Sequence, residues 1–206
     1  MNKKLVFYLV FFAALVIGFI AVLSKLIPGF ATPNMPPLSY VQPFVFTTQD
    51  GKAFSDKDVN GKVYVAEYFF TTCRGICPRL NNNMRKVYEK FKNEDNFLIL
   101  SHTCDPATDS VARLKRYSDS MQVSTKRWVF LTGRKDSLYN QARISYKIDD
   151  PKNNLTSIED DFLHTQFFAL VNKKGEVKKI YDGLKQSEVA EMITDIEKLL
   201  KEYEIL

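Results

Sequence analysis

The chain has 206 residues, 45% hydrophobic and 13% aromatic, which supports one ordinary globular core with appendages. Its formal net charge of +5 comes from Lys and Arg interleaved with Asp and Glu. No aromatic-laced basic stripe is present, so nucleic acid is set aside as a partner and the charge is read as solubility.

Leu5 to Leu23 (LVFYLVFFAALVIGFIAVL) is an uncharged run long enough to cross a bilayer as a helix. Lys3 and Lys4 precede it and Lys25 follows, a small bias that points the N-terminus to the cytoplasm. A cleaved signal peptide would have a shorter apolar region and a small-residue site, for which Gly29-Phe30-Ala31 is a poor match. We therefore expect an uncleaved anchor over residues 1–26, single-pass in the cell inner membrane. The main domain then faces the periplasm or another extracytoplasmic space, where disulfides persist. Residues 27–43 hold five of the eight prolines, and the stretch 27–42 reads as an extended spacer ahead of a domain over 43–206.

Within that domain, Phe44 to Thr47 and the turn Gln49-Asp50-Gly51-Lys52 predict a small hairpin. Lys62 to Phe70 (KVYVAEYFF) is rich in β-branched and aromatic residues and predicts a central strand. A helix follows from Pro78 to Phe91, its apolar face made of Leu80, Met84, Val87, Tyr88 and Phe91. Phe97 to Ser101 is a second buried strand, and Asp109 is placed to cap a helix through Val111, Leu114, Tyr117 and Met121. Trp128 to Leu131 is a third strand, Lys135 to Tyr146 a helix, and Lys147 to Asp161 a polar loop. A hairpin over 166–181 and a last helix opening near Ser187 complete the chain. Strands alternating with helices imply an α/β mixed sheet flanked by helices. The order of elements and the early strand–cysteine–helix junction make a thioredoxin-like fold the expectation.

The chemistry centres on Thr72-Cys73-Arg74-Gly75-Ile76-Cys77-Pro78, between the central strand and its helix. Thiols four residues apart at that junction are close enough to form a disulfide or to grip one metal ion together. Proline suits the first turn of a helix, and a helix N-terminus favours the thiolate, the reactive and metal-binding form. The plainer reading is a structural disulfide, although so small a ring restricts little chain entropy. His164 precedes a strand far along the chain; alone it reads as a hydrogen-bonded loop histidine. Joined to the two thiolates, its imidazole completes a ligand set suited to Cu(I) and tolerable for Cu(II). His102 and Cys104 end the second strand, where packing roles compete with a place at the site. Glu67, inside the apolar strand, is a weaker candidate for proton relay.

Four blocks then resemble the Sco/SenC family. Tyr68-Phe69-Phe70-Thr71-Thr72-Cys73-Arg74-Gly75-Ile76-Cys77-Pro78 resembles its copper loop, and Ser101 to Ser110, with Asp105-Pro106 inside, its second signature. Trp128 to Gly133 resembles its third strand, and His164-Thr165 falls where its metal-binding histidine does. The blocks stand in the family's order and cover about residues 40 to 203. The resemblance implies a thioredoxin-like domain that binds one copper ion, Cu(I), Cu(II) or both, through Cys73, Cys77 and His164. It implies a role in assembling the dinuclear copper site of a respiratory cytochrome c oxidase, as copper chaperone, as thiol reductant, or both. The implied partners are the copper-site subunit of that oxidase or another copper chaperone, with the membrane engaged by the N-terminal helix. Two departures stand out: Thr72, where many relatives carry a histidine or another residue between the strand and the first cysteine, and Cys104, where an aliphatic residue is usual. The alternative is an exported thiol-disulfide oxidoreductase, with Cys73 and Cys77 as the redox pair and metal binding incidental.

Overall fold

A computed structural model describes residues 2–26, 36–150, 162–163 and 165–201. Two units separate in it, Met1–Pro36 and Pro37–Leu206. The first contains α1 (Lys3–Leu26), a helix long and apolar enough to cross a membrane. Its large side chains, Phe7, Phe12 and Ile17 among them, stand exposed.

The second unit is built around β4 (Val63–Phe69), all seven of whose residues are buried. Side chains alternate across a strand, so β4 serves two cores. Val63, Val65 and Phe69 enter one cluster; Tyr64, Ala66 and Tyr68 enter the other. β4 runs parallel to β5 (Phe97–Thr103), which runs parallel to β6 (Trp128–Thr132). On its other side β4 pairs antiparallel with β7 (Phe167–Val171), followed outward by β8 (Glu176–Asp182) and β1 (Ser39–Tyr40). The hairpin of β2 (Val45–Thr48) and β3 (Ala53–Ser55) extends the sheet beyond β6. The sheet order is β1-β8-β7-β4-β5-β6-β2-β3. Burial on both faces explains why the inner strands read as continuous apolar runs in the sequence.

One face is covered by α2 (Cys77–Phe91), α3 (Val111–Ser120) and α5 (Gln186–Lys201). Leu80, Met84 and Val87 of α2 are almost fully buried there, each stabilising the fold by roughly 1.5–3 kcal/mol. The other face is covered by α4 (Lys135–Asn140) and the residues after it, through Leu138, Tyr139, Ala142 and Tyr146.

Three details differ from the sequence reading. Ser110, not Asp109, caps α3, its hydroxyl accepting from the Arg113 N–H; the Asp109 carboxylate is taken up by other donors. The helix read over 135–146 becomes α-helical only to Asn140 and continues as a wider turn over Gln141–Ser145, where the Tyr146 N–H reaches the Gln141 carbonyl at 3.0 Å. Ser39 and Tyr40, inside the proline-rich stretch, already belong to the sheet.

Candidate thiol and metal site

β4 ends at Phe69, and the chain turns at once. The Cys73 N–H donates to the Phe70 carbonyl at 3.1 Å, closing a tight turn. α2 then begins at Cys77 with Pro78 in its first turn, where no intrahelical N–H is lost. The Cys73 sulfur therefore sits before a helix N-terminus, with the Cys77 thiol and the N–H groups of Cys77, Gly75 and Ile76 as the donors that favour its ionised form. Burial opposes its thiolate, but these donors outweigh burial and hold the Cys73 thiol below its ordinary range. Cys77 is 4% exposed, and burial followed by donation to Cys73 pushes its thiol well above the usual range. The two thiols are thus unequal, Cys73 the readier to ionise and Cys77 the more reluctant. All three cysteines are free.

Glu67 lies on the face of β4 that carries Val65 and Phe69, the side covered by α2. It accepts from the Ser101 hydroxyl, its register partner on β5, and Ser101 in turn accepts from Trp128 Nε1 at 2.7 Å. Among the described residues its second carboxyl oxygen, Oε2, has no hydrogen-bond partner. Burial raises Glu67 to about 7, with the Ser101 bond acting against that rise.

His102 is placed by the same alternation on the opposite face. It stacks on Tyr68 with ring centroids 4.9 Å apart and meets Phe46 and Tyr146 edge-on. Burial pushes it down to about 4, so the imidazole there is neutral. Cys104, 2% exposed, packs in the same far-face cluster, while Cys77 belongs to the near one. Burial pushes the Cys104 thiol well above the ordinary range. The packing readings therefore hold for both residues, and neither joins Cys73 and Cys77.

His164 lies outside the described residues. Its described neighbours are well fixed: the Leu163 N–H donates to the Tyr139 hydroxyl at 3.1 Å, and the Thr165 hydroxyl donates to the Ile148 carbonyl at 2.9 Å. The Tyr139 hydroxyl itself donates to the Cys104 carbonyl at 2.8 Å. Phe162 meets Phe70 edge-on at 5.1 Å, three residues before Cys73. Among the described residues, no group of three or more His, Cys, Asp or Glu side chains is arranged to hold a metal ion. What they offer is two soft sulfur donors, one of them ionising more readily than an ordinary thiol, a set that fits a soft monovalent metal.

Sequence reasoning missed a second set of residues around the loop, namely Thr71, Thr103, Asp109 and Arg113. Thr71 and Asp109 are 38 positions apart, and no local pattern pairs them.

Comparison with known proteins bears on this site. The family model described as SCO1/SenC matches residues 33–201. The chain belongs to the SCO1/SenC family. A relative within it, the SCO1 protein homolog of Bacillus subtilis (strain 168), is 33% identical over 165 residues, 78% of this chain and 83% of that protein. The solved structure of BsSco, reported with a disulfide switch and as a member of the Sco family of cytochrome c oxidase assembly proteins, matches with a TM-score of 0.67 and 32% identity. That match covers 81% of this chain and 96% of BsSco. Arabidopsis thaliana ScoI with copper bound matches at a TM-score of 0.62 and 22% identity over 80% of this chain and 100% of that one, a likeness of fold alone. The architecture is the thioredoxin-like Sco fold, a mixed sheet flanked by helices.

Proposed function

We propose that this chain is a membrane-tethered copper-binding assembly factor for the dinuclear copper site of a respiratory cytochrome c oxidase. Copper is its cargo. Cys73, Cys77 and His164 are the proposed holders of one ion, as Cu(I), Cu(II) or both. The observation that carries the reading is the unequal pair, with a Cys73 sulfur surrounded by donors and a Cys77 thiol behind it. Family membership supports the assembly role, and the contact of Phe162 with Phe70 supports His164 as the third donor. The proposed division is an anchor over 1–26, a spacer over 27–42 and a Sco domain over 43–206. The apolar exposed surface of α1 supports a single-pass anchor that holds the domain on the extracytoplasmic side of the inner membrane. The proposed partners are the copper-site subunit of the oxidase or another copper chaperone.

The deciding experiment is anaerobic Cu(I) titration of the reduced protein, with Cu(II) spectra taken in parallel. One ion should bind, Cys73→Ser and Cys77→Ser should each abolish binding, and His164→Ala should weaken it without unfolding the domain. Unaltered affinity and spectra in the His164 variant would remove that residue from the site. A second reading, an exported thiol-disulfide oxidoreductase, draws on the same unequal thiols, since exchange needs one thiolate to attack and one thiol to resolve. That activity would persist in His164→Ala, which separates the two readings.

A further inference from the structure

The turn that delivers Cys73 is held from outside its own segment. Thr71, its first corner residue, gives both of its donors to Asp109: the N–H at 3.1 Å to Oδ2, and the hydroxyl to Oδ1. Thr103, at the end of β5, donates its hydroxyl to the same carboxylate at 2.6 Å. Arg113 completes the group, its Nε donating to the Thr71 hydroxyl oxygen at 2.6 Å and lying 3.7 Å from Asp109 Oδ1. Asp109 is fully buried. Its own position is fixed, because its N–H donates to the Asp105 carbonyl at 2.8 Å and its neighbour Ser110 caps α3.

A buried carboxylate filled by three donors and faced by a guanidinium is a rigid fixture. What it holds is the turn closed by the Cys73 N–H on the Phe70 carbonyl, beside which Phe70 and Cys73 pack against the core. Residues 72, 74 and 75 are exposed, and a Cβ added at Gly75 would meet nothing within 4 Å.

We propose that Asp109 is the positioning residue of the cysteine loop: through Thr71 it fixes the turn that presents Cys73, and thereby sets the spacing of the Cys73–Cys77 pair. It acts through Thr71 and touches neither sulfur. The inference rests on the pair being the working site, as proposed above.

The test uses the full chain in detergent, reduced and free of metal. The pair is equilibrated with glutathione, so that two thiols give two protons and two electrons to one oxidised glutathione, leaving a protein disulfide and two reduced glutathiones. The equilibrium constant reads how closely the protein holds the two sulfurs. Removing an orienting partner of this kind changes affinity or activity by roughly 10–100-fold. Thr71→Val and Asp109→Asn should each lower the glutathione constant by about tenfold, and Cu(I) affinity by a similar factor. Thr71→Ser, which restores the hydroxyl, should return both to wild type. Tyr181→Phe on β8, which deletes the 2.8 Å hydrogen bond to Asp195, outside the loop and its anchor, should cost stability and leave both unchanged. Wild-type glutathione constants in Thr71→Val and Asp109→Asn would overturn the proposal. If Asp109→Asn does not fold, Thr71→Val decides, because it leaves the Asp109 carboxylate its Thr103 and Thr71 N–H donors. Failure of the unmutated chain to bind Cu(I) would sink the copper reading alone, since the glutathione arm needs no metal.

Discussion

Glu67 and His102 are both fully buried, on adjacent central strands, and their ionisations pull stability in opposite directions over one pH window. Glu67 is raised by burial from 4.5 to about 7 in the folded protein. Below pH 4.5 it is protonated folded or unfolded and has no effect. As pH rises from 4.5 to 7 the unfolded chain releases its proton first, and stability falls. His102 is lowered by burial from 6.5 to about 4. Above pH 6.5 it is neutral in both states; as pH falls from 6.5 to 4 the unfolded chain takes up its proton first, and stability falls again. Each shift is about 2.5 pH units, which at 1.36 kcal/mol per unit is about 3 kcal/mol. Between pH 4.5 and 6.5 the slopes oppose one another, so the native protein should show a nearly flat stability profile there. Glu67→Gln, which cannot ionise, should unmask the His102 slope: stability should fall by about 3 kcal/mol between pH 6.5 and 4. His102→Phe should unmask the other slope, with stability falling by about the same amount between pH 4.5 and 7. Urea denaturation of metal-free protein starting at residue 37, the unit that holds both cores, measures these curves. Profiles of Glu67→Gln and wild type that run parallel from pH 4 to 8 would refute the reasoning, because Glu67 would then titrate alike in both states.

Three further outcomes are expected. Cys104→Ser should lower stability by roughly 1–3 kcal/mol by burying a hydroxyl among apolar side chains, while redox and copper titrations of the pair stay unchanged; a Cys104 crosslink to Cys73 or Cys77 in peptide maps of mildly oxidised protein would contradict this. Gly183→Ala should destabilise by roughly 1–3 kcal/mol or more, because a Cβ there would lie 2.5 Å from Phe168 and 2.7 Å from Leu80; thermal unfolding would show it. A reporter active only in the cytoplasm, fused after Leu206, should be silent, and a bright signal would refute the anchored, exported topology.

The strands and α2 were legible because their determinants are local. KVYVAEYFF is apolar on both faces, and the spacing of Leu80, Met84, Val87 and Phe91 fits one side of a helix. The strand–Cys73–Cys77–helix junction was visible for the same reason. Other parts depend on contacts that the sequence does not announce. The role of Asp109 was misjudged because capping is a local pattern, whereas Thr71 and Thr103 reach Asp109 only once β4 and β5 lie side by side. The widened turn after Asn140 differs from an ordinary helix in a single hydrogen-bond step, which composition does not encode. His102 and Cys104 stood at a strand end that converges on the site, yet the parity of β5 sends the imidazole to the far face with Leu98 and Leu100.

Tyr139 links two regions of the molecule through one oxygen atom. Its hydroxyl gives a hydrogen bond to Cys104, just past the end of β5, and receives one from Leu163, the residue before His164. Between Cys104 and Leu163 lie α3, β6 and α4, so the chain itself is too long a tether to keep those two points in register. A phenol oxygen does so instead, as a pin joins two plates. Replacing that one atom with hydrogen, as in Tyr139→Phe, would unpin both plates together while the ring stayed packed between them.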